Sequence, residues 1–492
     1  MMSSQESESD KMTNLPEELV VDIMGLSSMK TRAAVQMCML SKRWNHLWPF
    51  LSALNFDLKE FNSGDPKQDK HSFSRFVTTM LNRRKAVNLD KFRLSCVNLW
   101  EKQHHSSIER WIIYAVQHQI KVLQLPVFSW CGSLVSKHIV ACESLVELHL
   151  HLIDCSQLGL DIGSENINLP RLQKLHLHSQ GLMSIDFFKN LIWRCPLLKD
   201  LFLESFIVPY SSFISSEILE HLTFKNCKVS YKSAICGTGD NMTEKIYCPS
   251  LRKMFLLGEG LCFYFSEFLS ECPLLEDLWL ESFNVPLGSI IFSQKLQNLT
   301  LKNCKNIERI YSIKAPSLVS FCFVGLIEDV VVLADKVGSI SSLIHANVSL
   351  RDGSYGSSFL TYALNSLSCV ENLDLCVHKL AASSQFPSIY PTLHKLKNLS
   401  ICGHCFNYVL YMWKYMPNLE KITLWPYCQH YLWSSEGLNR DYALLREIMK
   451  CKKLKVLEVV CARFDDQERK LMDHLRKLKD PKIVISNKQF KN

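Results

Sequence analysis

Residues 272–280 read CPLLEDLWL, and residues 195–203 read CPLLKDLFL. Both set Leu-x-x-Leu-x-Leu behind a Cys-Pro pair: Leu275, Leu278 and Leu280 in one, Leu198, Leu201 and Leu203 in the other. Side chains of a strand alternate between its two faces, so each Leu-x-Leu pair points one way and the residue between, Trp279 or Phe202, points the other. One such strand is too short to bury its apolar side alone. The pattern recurs outward in CESLVELHL (142–150), LPRLQKLHL (169–177), CPSLRKMFL (248–256), MPNLEKITL (416–424) and CKKLKVLEV (451–459).

Aligned on the middle apolar residue, the series is Leu123, Leu148, Leu175, Leu201, Leu222, Met254, Leu278, Leu299, Phe321, Ala346, Leu373, Leu399, Ile422 and Leu457. Successive members stand 21 to 27 residues apart, except for 32 before Met254 and 35 before Leu457. A period of about 20–29 residues with this pattern is the mark of a leucine-rich repeat. The expected fold is therefore α/β, a curved solenoid of stacked parallel strands with helices or loops behind them. The rung at Ala346 keeps the pattern loosely, and an earlier strand is expected through Phe92 in KFRLS.

The chain has 492 residues, 47% of them hydrophobic and 21% charged, which is ample for a large core. Its net charge of +8 comes from nearly balanced acids and bases without a long basic tract, which argues against nucleic-acid binding. The first ten residues, MMSSQESESD, are Ser-rich and acidic, unlike a secretory leader, and read as disordered. No apolar run reaches the ~18 residues of a membrane-spanning helix, and an intracellular protein of the cytoplasm or nucleus is expected. The twenty Cys are spread along the chain. Cys142, Cys195, Cys248, Cys272 and Cys451 each precede the first Leu-type position of a rung by three residues, and Cys227 and Cys304 follow a strand's last apolar residue by three. They read as small structural thiols.

Ahead of the repeats, NLPEELVVDIM (14–24) carries a helix start: Asn14 as cap, Pro16 in the first turn and Glu17 in the capping-box position. Leu15, Leu19 and Ile23 then share one face. TRAAVQMCML (31–40) reads as a second helix. In SKRWNHLW (41–48), Ser41 caps an expected third, with Trp44, Leu47 and Trp48 on one side. Such residues suit the core of a small bundle, and they also suit an interface. The order LPEELVVDIM, short second helix, LSKRWNHLW closely resembles the F-box of plant-type F-box proteins with leucine-rich repeats. SFSRFVTTMLNRR and ERWIIYAVQHQIKVLQLPV resemble that family's connecting helix and first repeat-leading segment. GLSSMKT (25–31) departs from the family's usual Phe-Leu-Pro-like stretch, and the region after Val460 lacks a clear match to the extra domain of some relatives.

The resemblance implies an organisation of leader (1–10), F-box (11–58), helical linker (59–88), repeat solenoid (89–464) and charged cap (465–492). It implies a non-catalytic substrate receptor of a cullin-based ubiquitin ligase, with the F-box on a Skp-type adaptor and the repeats on a protein substrate. Carried over by position, Leu15, Pro16, Leu19, Ile23, Leu40, Trp44 and Trp48 form or support the adaptor surface. The outward column of the strands, His149, His176, Phe202, Phe255 and Trp279, is the expected substrate face, with Phe202, Phe255 and Trp279 as an aromatic patch bordered by Glu204, Lys225 and Glu281. His149, His151, His176 and His178 fall on one face of neighbouring rungs, but no carboxylate or thiolate of suitable spacing accompanies them, so no metal is expected. Cys402, His404 and Cys405 in CGHC lack a second pair, and no cofactor is expected. Two rival readings are a repeat scaffold that recruits no ligase and a receptor completed by a small molecule. An enzyme ranks behind both, since the chain has no Gly-rich phosphate loop, G-x-S-x-G or HExxH.

Overall fold

The computed structural model describes residues 16–25, 29–40, 42–85, 88–95, 105–128, 138–139, 141–153, 168–179, 192–209, 214–230, 246–260, 265–326, 329, 337, 340–351, 364–365, 367–377, 391–402, 412–425, 453–461 and 483–487. The chain divides into two compact units, Met1–Cys248 and Pro249–Asn492. Each contains a parallel sheet.

In the first unit, helices α1 (Glu17–Met24) and α2 (Thr31–Leu40) precede strand β1 (Ala53–Asp57), helix α3 (Pro66–Arg83), strand β2 (Lys91–Ser95) and helix α4 (His105–Gln117). Strands β3 (Val122–Phe128), β4 (Glu147–Ile153), β5 (Lys174–Ser179) and β6 (Asp200–Glu204) follow. After the short β7 (Ile207–Pro209) and β8 (Ile214–Ser215) comes β9 (His221–Lys225), then the short β10 (Lys228–Ser230) and β11 (Ile246–Tyr247). The main sheet runs β1, β2, β3, β4, β5, β6, β9, all parallel. β7 pairs with β10 and β8 with β11 as short parallel side ladders.

The second unit continues with β12 (Lys253–Leu257), β13 (Asp277–Glu281), β14 (Ser289–Phe292), β15 (Asn298–Lys302), β16 (Ile310–Lys314), β17 (Ser320–Leu326) and β18 (His345–Arg351). It ends with β19 (Asn372–Val377), β20 (Asn398–Cys402), β21 (Lys421–Trp425), β22 (Val456–Cys461) and β23 (Ile483–Asn487). Its main sheet is again parallel and sequential, with β14 and β16 paired at the side.

The register follows the leucine alignment. Leu123, Leu148, Leu175, Leu201 and Leu222 are partners across successive strands of the first unit. Met254, Leu278, Leu299, Phe321, Ala346, Leu373, Leu399, Ile422 and Leu457 are partners across the second. Ala346, the loosest in sequence, keeps its place because a methyl group suffices where the neighbouring Phe321 is large. Each strand alternates: in Asp277–Glu281 only Leu278 and Leu280 are buried. The leading leucine is fixed by a tight turn, in which Leu145, Leu198 and Leu275 donate their N–H to the carbonyls of Cys142, Cys195 and Cys272. These cysteines are buried at the turns. Small size and weak polarity suit them to that place.

Three features depart from the sequence reading. The expected third helix is absent: residues 42–47 form successive turns and Trp48–Phe50 a 3₁₀ turn, with Leu47 N–H on Trp44 O at 2.9 Å and Phe50 N–H on Leu47 O at 3.0 Å. Pro49 explains this, because it has no N–H for an i→i−4 bond and disfavours α geometry at Trp48. The sheet starts at β1, ahead of residue 89, and β23 lies within the stretch expected as a charged cap. The strand through Phe92 is β2.

The free edge of β1 is covered by the start of α2. Asn55 N–H donates to Thr31 Oγ1 at 2.6 Å, Lys30 Nζ pairs with Asp57 at 2.6 Å, and Arg32 lies over the Phe61 ring. Covering such an edge prevents pairing with another chain. Behind the strands, Phe56 and Phe92 pack edge to face at 5.8 Å, and Phe73 meets Trp111 at 6.2 Å, joining α3 to α4.

Candidate functional site

At the N-terminal helices, one face of α1 turns inward and the other outward. Val20 and Met24 are buried, while Leu19 is 49% and Ile23 38% exposed. Met39 at 70% and Phe50 at 46% are further exposed apolar side chains of this segment. Pro16 is exposed and stands at the helix N-cap. Trp44 is buried with Leu47, and Trp48 is half-buried. Trp44 therefore supports this surface from beneath. Its Nε1 is buried without a hydrogen-bond partner among the described residues. Asn14 and Leu15 lie outside the described residues, as do 26–28 of the GLSSMKT stretch and the side chain of Leu40.

The outward column of the first unit brings His149, His176 and Phe202 side by side. The His149 and His176 rings are 4.1 Å apart between centroids, and His176 stacks on Phe202 at 5.1 Å. One position further along, His151 and His178 meet at 4.2 Å. Together with Gln124 and Pro126 these residues line a groove of about 250 Å³. Burial pushes the His151 and His176 imidazoles below their ordinary value, and the neighbouring His178 and His149 push the same way.

Carboxylates do accompany the histidines, contrary to the sequence expectation. His149 Nε2 is 2.6 Å from Glu147 Oε1, and His178 Nδ1 is 3.2 Å from Glu204 Oε2, while Glu204 Oε1 pairs with Lys225 at 2.8 Å. Burial alone would raise both carboxyls, but His149 with Lys174 and His176 together outweigh it at Glu147, and Lys225 with His178 outweighs it at Glu204, so both are lowered. The signal was present in the sequence, since Glu147 and His149 are two apart on one strand and so share a face. No group of three or more His, Cys, Asp or Glu among the described residues is arranged to hold a metal ion.

Phe255 and Trp279 belong to the second unit, where their rings stand 6.1 Å apart. Lys302 Nζ lies 4.2 Å over the Trp279 ring, and Trp279 Nε1 donates to Glu281 at 3.1 Å. The aromatic contacts thus fall into two groups, His176–Phe202 and Phe255–Trp279. Beyond Trp279 the same column turns polar, with Thr300, Cys322, Asn347, Asp374, Ser400 and Thr423 on successive strands. Stacking faces, hydrogen-bonding imidazoles and hydroxyls suit holding a partner. Cys402 ends β20, whereas His404 and Cys405 lie outside the described residues.

Residues 108–262 match the family model described as FBD-associated F-box protein At5g56370, LRR repeats. A putative F-box/FBD/LRR-repeat protein of Arabidopsis thaliana, At5g22670, is 30% identical over 39% of this chain and 40% of its own length. The F-box/LRR-repeat protein At3g59200 of the same plant is 27% identical over 46% of this chain and 42% of its own. The chain thus spans about two fifths of the length of these relatives. A chain of the yeast Rad7 and Elc1 complex is similar with a TM-score of 0.26 and 12% identity, over 87% of this chain and 95% of that one, a likeness too slight to build on. With the repeat register on one side and these matches on the other, the chain is similar to plant F-box/LRR-repeat proteins.

Proposed function

We propose that this protein is the substrate-recognition subunit of a cullin-based, SCF-type ubiquitin ligase in the cytoplasm or nucleus. Its N-terminal segment is an F-box that binds a Skp-type adaptor, and the outward faces of the strands bind the protein to be ubiquitinated. The observation that carries the reading is the outward turn of Leu19, Ile23, Met39 and Phe50 from a segment whose inner residues, Val20, Met24, Ala34, Cys38 and Trp44, are already buried. Exposed apolar side chains grouped on one short segment favour a protein partner. The names of the plant relatives support the F-box assignment. In this role no side chain performs chemistry. The receptor raises the effective concentration of a substrate lysine near a ubiquitin-charged enzyme, and rate comes from positioning.

The test is co-purification of a Skp-type adaptor with the full chain and with a Leu19→Asp/Ile23→Asp variant. Both positions are exposed, so the variant should melt like the parent while adaptor capture falls at least ~100-fold, as loss of hot-spot contacts near 3 kcal/mol would give. Undiminished capture by a folded variant, or no capture by the parent, removes the proposal.

A further inference from the structure

Two cysteines one repeat apart, Cys376 on β19 and Cys402 on β20, bring their sulfurs to 3.1 Å. The register makes this placement structural: Leu375 pairs with Ile401, and the cysteines are the next positions on the two parallel strands. Each alternates with the buried apolar residues and so shares the outward face, in a row that reads Ser349, Cys376, Cys402, Trp425 across four strands. Neighbouring strands lie about 4.8 Å apart, inside the roughly 4.4–6.8 Å between Cα atoms that a disulfide spans. The sulfurs need to close by only about 1 Å to reach bonding distance near 2.05 Å. Both are reduced thiols in the structure.

We infer that Cys376 and Cys402 form a reversible cross-strand disulfide, a modification site on the outward face of the second unit, made by exchange with a low-molecular-weight disulfide of the glutathione class. The exposures assign the roles. Cys376 is half-buried and reachable, whereas Cys402 is 5% exposed beside Trp425. The Cys376 thiolate attacks one sulfur of oxidised glutathione, forming a mixed disulfide and expelling one glutathione thiolate. Cys402 then loses its proton and attacks the Cys376 sulfur, expelling the second glutathione. Two protein thiols are oxidised, one glutathione disulfide is reduced to two glutathiones, and two protons go to the leaving thiolates.

The buried thiols elsewhere make a contrast. Cys195, Cys227 and Cys304 sit at turns or rung ends, where burial pushes them up to about 12, 11 and 12, and Cys227 and Cys304 donate to the carbonyls of Leu203 and Leu280. Kept protonated by burial, they are poor nucleophiles. The pair at 376 and 402 is set apart by having a second sulfur in reach. The inference rests on the second unit alone and stands or falls apart from adaptor binding.

The test equilibrates the full chain in a series of reduced and oxidised glutathione, blocks remaining thiols with N-ethylmaleimide and maps disulfides by non-reducing peptide mass spectrometry. A single linked peptide joining Cys376 to Cys402, lost on adding dithiothreitol, is the expected result. Cys402→Ser, checked for fold by circular dichroism, should trap glutathione on Cys376, while Cys376→Ser should leave Cys402 free of it. Alkylation of both cysteines throughout the series in the folded parent, or a bond from either to a different cysteine, overturns the inference. Glutathione carried by Cys402 in Cys376→Ser overturns the assigned order of attack.

Discussion

Asn226 holds its backbone at φ of +53°, and it is not alone. Ser205, Ser282 and Asn303, at +63°, +52° and +50°, occupy the same place one residue past a main-sheet strand. The left-handed residue ends the strand and turns the chain so that Phe206, Cys227 and Phe283 enter the core. The N–H of Ser205 and of Ser282 stays on the ladder, donating to Lys225 O and Lys302 O at 2.8 Å. Asn226 is exposed, so substitution there tests the backbone with little else disturbed. Asn226→Val should lose about 1–2 kcal/mol in urea unfolding, because a β-branched side chain is disfavoured at positive φ, while Asn226→Gly should change little. The sequence spacing located Cys227 and Cys304 but not this turn, since Ser at 205 and 282 does not announce positive φ. The histidines carry the second prediction of this kind. His151 and His176 titrate below their unfolded value near ~6.5, so the unfolded chain binds more protons and stability rises with pH there. Their contribution is intact above about pH 7 and is lost as the pH falls through 6.5 towards the folded values. Hydrogen exchange in Glu147–Ile153 and Lys174–Ser179 should therefore slow between pH 7.5 and 5.5 by less than the base-catalysed intrinsic rates predict, and a His151→Asn/His176→Asn variant should remove that difference.

From Leu123 onward, the main-sheet strands up to Leu457 were readable from their apolar spacing. Every aligned residue from Leu123 to Leu457 lies on a strand in the expected register, since a one-residue slip would turn each leucine outward. β1 escaped although Leu51, Leu54 and Phe56 keep the spacing, because that stretch was assigned to the N-terminal segment; β23 escaped because IVISN has no Leu-x-x lead, and the short ladders β7–β10, β8–β11 and β14–β16 run only two to five residues, too few for periodicity to register. The helix expected at 41–48 failed for the opposite reason: its aromatic spacing was helical, but Pro49 decided the backbone. β23 also answers for a buried charge. Glu458 is 7% exposed, on the column that is polar elsewhere, and its carboxylate accepts from Ser486 Oγ at 2.7 Å and pairs with Lys421 at 2.6 Å. A hydrogen bond to a buried charged group contributes about 1.5–3 kcal/mol. Ser486→Ala should cost that much in urea unfolding, and Glu458→Gln, which keeps a hydrogen-bonding partner and removes the charge, should make the same Ser486→Ala change cheaper. Equal costs in the two backgrounds would mean that the Ser486 hydroxyl does not serve the carboxylate.

Across the molecule, the proposed function divides the work between an outward apolar segment at the N-terminus and repeated open faces on the sheets. The first part was legible as a motif and the second as a period. The partner chemistry was less so, because the column between the leucines is free to vary: His, Phe and Trp in some rungs, Thr, Asn and Asp in others. Energetics follow the same logic, since in each sheet a strand touches its sequential neighbours and stability becomes a sum of local terms. Leu301 is fully buried in β15, between Leu280 and Phe323 on the flanking strands. Leu301→Ala should cost about 2–5 kcal/mol, as cavity-forming changes in well-packed cores do. If the sheet behaves as stacked neighbours, hydrogen exchange in this variant quickens first in Asp277–Glu281 and Ser320–Leu326, and far less in Lys421–Trp425 of the same unit. Equal acceleration in all three strands would show instead that the whole unit opens in one cooperative step, and that a partner gripping any rung would stabilise every other by the same amount.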